Sequence, residues 1–256
     1  MTQWKDGTGV IDDQRYLRQV SLDRFGEEGQ ARLRRATVGL VGLGGLGSVS
    51  AQYLCAAGVG RLVMFDFEVV EESNLNRQIL HGTSDLGRRK IDSARGRLAD
   101  LNPECELVFH DARVDSSNAV DLLRGADVLV DATDNLETRL AMNRASLALG
   151  VPFVFGGVDG LGGMAAVFEP GVTGCLECLF SAPPVERDAP GVIGPAPGVI
   201  GSLQALETIR LLVGMPSALA GKLLVFDGVG MSFRTIGLER NPECAACGSE
   251  VGGTNG

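Results

Sequence analysis

The chain has 256 residues, of which 45% are apolar and 21% charged, an ordinary globular balance. That length can bury a sizeable core without disulfide staples. The net charge of -9 excludes broad nucleic-acid binding, which draws its affinity from Lys and Arg on phosphates, yet leaves room for one nucleotide held by a few local donors.

Residues 1–13 read as a polar, flexible start with no basic, apolar leader, so a cytoplasmic location is expected. Gln14 to Leu33 reads as helical, with Gly26 and Gly29 as possible breaks. Val38 to Val41 is a candidate buried strand that meets a glycine-rich turn, Gly42 to Gly47. Ser48 to Ala57 follows as a helix ending near Gly58, and Arg61 to Asp66 as the next strand. The uncharged stretch Thr37 to Gly60 is long enough to span a bilayer, but seven glycines with Ser48, Ser50 and Gln52 break its apolar character. It reads as strand, loop and buried helix, and no membrane partner is expected.

The alternation continues with a helix over Lys90–Leu101, stopped before Pro103, a strand over Glu106–His110 and another over Ala126–Asp131. A helix over Leu136–Leu149 and a strand over Pro152–Phe155 complete the series. Strands alternating with such helices imply an α/β chain with a Rossmann-like, mostly parallel sheet covered on both faces. Residues 157–169 read as an antiparallel β extension, and 181–198, rich in Pro, Gly and Ala, as a mobile loop. A helix over Gly201–Val213 and strands over Leu223–Phe226 and Ser232–Leu238 follow, and Gly248 to Gly256 reads as a flexible tail.

The loop Gly42-x-Gly44-x-x-Gly47 follows a strand and opens a helix, the context that a dinucleotide fingerprint requires. Glycine lets the backbone approach a phosphate, and the helix start supplies free N–H groups. Asp66 stands at the end of the next strand, where an acid accepts bonds from ribose hydroxyls. By itself this pattern suggests NAD as readily as another nucleotide, and a glycine turn needed only for packing is the bland alternative. The cluster Ser73-Asn74-Leu75-Asn76-Arg77-Gln78 adds a guanidinium able to clamp phosphate oxygens. Lys90 opens a helix and opposes its dipole, which a bound anion would explain; a solvated surface lysine is the alternative. Asp131-Ala132-Thr133-Asp134-Asn135 ends a strand at the side of the sheet where ligands bind. Asp134 can hold Mg²⁺ there or cap the next helix, a task open also to Asn135 and Thr133.

Cys175-x-x-Cys178 and Cys244-x-x-Cys247 have the spacing of a structural zinc site joining distant parts of the chain, with disulfides and a redox pair as rivals. Cys55 reads as core and Cys105 as partly exposed. His81 and His110 read as structural.

Together these motifs resemble the ThiF/MoeB/HesA adenylyltransferases, relatives of ubiquitin-activating enzymes. The resemblance runs from Arg15 to about Gly248. It rests on Arg15-Tyr16-Leu17-Arg18-Gln19, the glycine loop, Asp66-Phe67-Glu68 with Ser73 to Gln78, Gly87 to Lys90, Asp131 to Asn135, both Cys pairs and Gly201 to Glu207. It implies one adenylation domain over 1–256, with a nucleotide-binding part at 14–156, a carrier-binding and zinc part at 157–248 and a tail at 249–256. It also implies an ATP and Mg²⁺ site in a homodimer. Gly42, Gly44, Gly45 and Gly47 would form the phosphate loop, with Gly45 touching phosphate, and Asp66 would hold the ribose. Asn74, Arg77 and Lys90 would bind the triphosphate, Asp134 would hold Mg²⁺, and Arg18 would reach the neighbouring subunit's site. The implied reaction is attack by the C-terminal Gly-Gly carboxylate of a ubiquitin-like sulfur carrier on the α-phosphorus of ATP, giving acyl-adenylate and pyrophosphate. Thiamine or molybdopterin synthesis is the implied setting. Two departures stand out. Pro183 to Pro197 holds no Cys, where many relatives carry one for a covalent link, so a separate sulfur donor is expected. Glu68 stands where many relatives have Asp. Adenylation of another peptide C-terminus and an NAD-dependent oxidoreductase are the alternatives.

Overall fold

The computed structural model describes residues 14–179 and 191–248. The expected flexible start, most of the expected loop at 181–198 and nearly all of the tail lie outside those residues. Two short helices, α1 (Leu17–Val20) and α2 (Gly26–Arg35), replace the single expected one. The break spans residues 21–25, and Gly26 enters α2 at φ +58.

The core then alternates: β1 (Thr37–Val41), α3 (Gly45–Ala57), β2 (Arg61–Phe65), α4 (Lys90–Leu101) and β3 (Glu106–His110). A one-turn helix α5 (Ala119–Leu122) precedes β4 (Val128–Asp131), α6 (Leu136–Leu149) and β5 (Phe153–Asp159). After β6 (Gly162–Phe168) come α7 (Leu176–Leu179), α8 (Pro195–Leu212), β7 (Lys222–Asp227) and β8 (Ser232–Gly237). All eight strands form one sheet in the order β3-β2-β1-β4-β5-β6-β7-β8. The first five run parallel, and β6, β7 and β8 add antiparallel. The order reverses between β1 and β4, and in such sheets ligands bind outside the carboxyl ends of the strands at that crevice.

Alternate residues of each strand feed two cores, as the two-residue period of a strand requires. Val38 and Leu40 of β1, Val128 and Val130 of β4 and Val154 of β5 pack with Leu46, Leu54, Ala94, Leu98 and Ile200 on the α3, α4 and α8 face. Val41, Leu129, Phe153 and Phe155 pack with Ala119, Ala141, Met142 and Ala145 on the α5 and α6 face. Helices thus cover both faces of the parallel part.

The loop expected to end at residue 198 ends earlier, because α8 begins at Pro195. Proline suits a helix start, where its fixed φ is helical and no N–H is needed. Among the described residues, no helix is long and apolar enough to cross a membrane.

Candidate nucleotide site and cysteine cluster

The glycine loop joins β1 to α3 and is held by the strands around it. Gly42 adopts φ +95, and its amide donates to the Phe65 carbonyl at 2.8 Å. A Cβ there would lie 2.5 Å from the Ala132 carbonyl oxygen, and one on Gly47 would lie 2.0 Å from the Gly42 carbonyl oxygen. These two glycines are therefore required by the packing of the protein itself. Gly44 differs: a Cβ there would meet only Gln78 Nε2 at 3.6 Å, an ordinary contact. Packing does not explain Gly44, whereas close approach of a ligand to the backbone would. No side chain caps the start of α3. Its first-turn N–H groups therefore present the positive end of the dipole at the switch point of the sheet.

Asp66 follows β2 and turns back onto this loop. Its carboxylate accepts from the Leu43 amide at 2.7 Å and the Glu68 amide at 2.8 Å. Burial pushes its pKa above the usual carboxylate range, opposed by Lys90 and the two amides. Lys90 is 2% exposed, which removes the surface-lysine alternative. Its Nζ lies 2.5 Å from Glu68 Oε2, and its amide donates to the Glu68 carbonyl at 3.0 Å. His81 fastens the same region: Nε2 lies 3.0 Å from the Leu43 carbonyl and Nδ1 2.9 Å from Ser93 Oγ of α4. A carbonyl only accepts, so Nε2 carries a proton. Burial holds the imidazole pKa below its ordinary value. The structural role expected for His81 is thus a specific one. His110 stacks on Phe65 with ring centroids 4.8 Å apart.

The 73–78 segment lies against the loop. Buried Asn74 Oδ1 accepts from the Glu71 amide at 3.1 Å, and the Asn74 carbonyl accepts from the amides of Arg77 and Gln78. Half-buried Arg77 donates to the Ser73 carbonyl at 2.9 Å and to Asn76 Oδ1 at 3.0 Å. A Cβ on Gly45 would lie 3.1 Å from Pro197 and 3.7 Å from Arg77 Cγ, so loop, segment and the start of α8 converge. Beside them, Gln78 Oε1 and Ser48 Oγ are buried without a hydrogen-bond partner among the described residues.

At the end of β4, Asn135 caps α6 by accepting from the Thr138 amide at 2.9 Å. Asp134, one residue earlier, is exposed and does not serve as that cap. Asp131 is fully buried and anchors the turn instead. It accepts from the Thr133 amide and hydroxyl at 3.0 and 2.6 Å, and Arg139 Nε lies 3.2 Å from its other oxygen. Burial raises its pKa against the pull of Arg139. Gln204 of α8 donates to the Asp131 carbonyl at 2.6 Å, tying the end of β4 to the helix on the other face. Sequence reading misses Arg139, and it includes Gln204 only within the 201–207 motif with no role, since nothing local marks a side chain that acts 8 or 73 positions away.

Gly42, Gly44, Gly45, Gly47, Asp66, Asn74, Arg77, Lys90 and Asp134 thus gather at one end of the sheet. Arg18 does not join them. Its neighbour Gln19 donates to the Ala57 carbonyl at 3.0 Å, which places α1 at the far end of α3. Helix α3 has 13 residues, about 20 Å of rise.

The four paired cysteines come together on the other side of α6. Their sulfurs all lie within 4.8 Å of one another, with Cys175 3.7 Å from Cys244 and Cys178 3.4 Å from Cys247. A tetrahedron with Zn–S bonds of about 2.3 Å has edges of about 3.8 Å, so the donor set fits zinc. The Asn241 amide points at Cys178 Sγ at 3.5 Å, and the Arg240 guanidinium donates to the Cys247 carbonyl. Asn143 and Arg144 of α6 hold the first pair: Asn143 accepts from the Leu176 amide at 2.9 Å, and Arg144 Nε donates to Glu177 at 3.0 Å. Cys105, expected to be partly exposed, is buried beneath the start of β3.

A model of the ThiF family matches residues 16–246. The sulfur carrier protein adenylyltransferase of Thermus thermophilus is 45% identical over 246 residues, covering 92% of this chain and 91% of that protein. The adenylyltransferase and sulfurtransferase MOCS3 of Drosophila yakuba is 42% identical over 245 residues, covering 93% of this chain and 54% of that protein. The chain therefore spans nearly all of the bacterial relative and about half of the insect one. The crystal structure of Escherichia coli MccB with AMPCPP and MccA superposes with a TM-score of 0.83 at 22% identity. It covers 93% of this chain and 75% of that one, and shows the shared fold.

Proposed function

The chain belongs to the ThiF family, and from that premise we propose that it is an ATP-dependent adenylyltransferase acting on a ubiquitin-like sulfur-carrier protein. The observation that carries this reading is the near full-length match to a sulfur carrier protein adenylyltransferase at 45% identity. The site geometry supports it: an uncapped helix start, a buried lysine and an exposed carboxylate share one end of the sheet, a set suited to a triphosphate with a divalent cation. A dehydrogenase needs only the loop and Asp66, so the oxidoreductase alternative leaves Lys90 and Asp134 without purpose.

In this reading the Gly42–Gly47 loop and the first turn of α3 cradle the phosphates, with Gly45 touching them, and Asp66 orients the ribose. Asn74, Arg77 and Lys90 offset the charge that builds as pyrophosphate leaves. Asp134 would hold Mg²⁺, which would neutralise phosphate charge. The carrier's terminal glycine carboxylate is already ionised at neutral pH and attacks the α-phosphorus without a general base. The C–O–P bond forms as the bond to pyrophosphate breaks. Residues 14–156 serve the nucleotide, and 157–248 serve the carrier and the zinc cluster. The protein works in the cytoplasm as a homodimer in which Arg18 acts in the partner's site, and sulfur comes from a separate donor. Zinc on the four cysteines would fasten the segment with Cys244 and Cys247 to α7, beside α6.

The test is ATP–pyrophosphate exchange with purified protein, Mg²⁺ and a panel of small carriers ending in Gly-Gly. Exchange that depends on one carrier is the expected result. Exchange with none of them, while ATP still binds, would refute the carrier assignment. Arg18→Ala and Arg77→Ala subunits, each weak alone, should recover activity when mixed if Arg18 acts across the dimer.

A further inference from the structure

The Lys90–Glu68 pair is asymmetric. The lysine side chain is 3% exposed and the glutamate side chain 52% exposed. The lysine also sits in the first turn of α4, where the helix dipole disfavours a cation, so its charge needs an anion beside it. Glu68 supplies that anion at 2.5 Å. The backbone cannot relax to break the pair. The Lys90 amide is bonded to the Glu68 carbonyl, Val69 and Arg89 form an antiparallel bridge, and the Glu68 amide is bonded to Asp66. Only the glutamate side chain is free to leave, by rotating into the water that it already touches. A triphosphate arriving at Lys90 would meet two carboxylates, those of Asp66 and Glu68, around one cation. Asp66 is fixed by two amides, whereas Glu68 has Lys90 alone as its side-chain partner among the described residues.

We propose that Glu68 is a positioning residue that holds Lys90 in place while the site is empty and yields it to the triphosphate on binding. The inference rests on Lys90 being a triphosphate ligand. Glu68 then stabilises the ligand-free protein and weakens ATP binding by the same amount, because its contact with Lys90 exists only before ATP arrives. A charged hydrogen bond with one partner half in water corresponds to about three- to tenfold in affinity.

The test is calorimetric binding of a non-hydrolysable ATP analogue to the full chain, with thermal melting in parallel. Glu68→Gln is expected to bind about three- to tenfold more tightly than wild type. Its ligand-free form should melt at a lower temperature, and its saturated form should melt close to saturated wild type. Equal or weaker binding would overturn the proposal. Glu68→Asp withdraws the carboxylate by one methylene and gives the same test should Glu68→Gln fail to fold. Lys90→Ala separates the two levels of the argument. If it binds the analogue as wild type does, the triphosphate reading of Lys90 is wrong. If it loses at least tenfold while neither Glu68 variant tightens binding, the holding role of Glu68 alone is wrong.

Discussion

Replacing Gly47 by alanine tests whether the loop is set by its own packing. The added methyl would sit 2.0 Å from the Gly42 carbonyl oxygen and 2.9 Å from its carbon. A carbon and a carbonyl oxygen tolerate about 3.3 Å, so the two must separate by about 1.3 Å. Gly42 cannot retreat without strain, since its amide is bonded to Phe65 and the Ala132 carbonyl lies behind it. Such overpacking costs about 1–3 kcal/mol, or about 2–12 °C in melting temperature for a chain of this size. A loop displaced by about 1 Å would also lower exchange activity about 100-fold. Gly44→Ala is the control. Its φ of -76 is not left-handed and its methyl would touch Gln78 at an ordinary 3.6 Å, so the change should cost no more than the loss of a helix N-cap, about 1 kcal/mol. Thermal melts and nucleotide titration of both variants decide the matter. A Gly47→Ala protein that melts within a degree of wild type and binds nucleotide normally would refute the packing argument. Loss of nucleotide affinity in a stable Gly44→Ala protein would mark the position where ligand meets backbone.

Three further outcomes follow from the geometry. Asp134→Ala should leave stability unchanged and remove Mg²⁺-dependent exchange, while Asn135→Ala should lower stability by about 1 kcal/mol through loss of the α6 cap; denaturant melts and exchange assays separate the two. Cys175→Ser should abolish stoichiometric zinc, read by metal analysis, and lower the melting temperature; full zinc content would show that the four sulfurs do not act together. His81 titrates below its ordinary 6.5 because it is buried neutral, so as pH falls through 6.5 the unfolded chain takes up a proton that the folded chain refuses. Folding stability should therefore fall by up to about 1.4 kcal/mol per pH unit below that point, and His81→Gln should flatten the slope between pH 6.5 and 5.

The elements that sequence shows best are those whose signals are local. Helix α4 stops before Pro103, and α6 runs from a capping asparagine to Gly150 in the left-handed region, so both could be bounded by inspection. The first turn of α8 could not. Pro195, Ala196 and Pro197 have the composition of a loop, and they become helical where α8 lies against α3, so closely that a Cβ on Gly201 would come within 2.8 Å of the Leu46 carbonyl. The same limit applies to the site. The loop and Asp66 are legible because their spacing is fixed within a strand, turn and helix. The burial of Lys90 depends on Glu68, 22 positions earlier, and the support of Asp131 on Arg139 and Gln204. Those partners are chosen by the tertiary fold, and no periodicity announces them.

The cysteine cluster joins residues 69 positions apart, and its second half follows the last strand of the sheet. A chain broken off after β8 would hold all eight strands of the sheet and the glycine loop, yet it would own only two of the four sulfurs. Synthesis therefore completes the sheet before it can fasten α7 to the segment that carries Cys244 and Cys247. Until the second pair has been made, Cys175 and Cys178 at α7 have no thiol partners across the fold, so the clasp is closed by residues that lie beyond the sheet they help to hold.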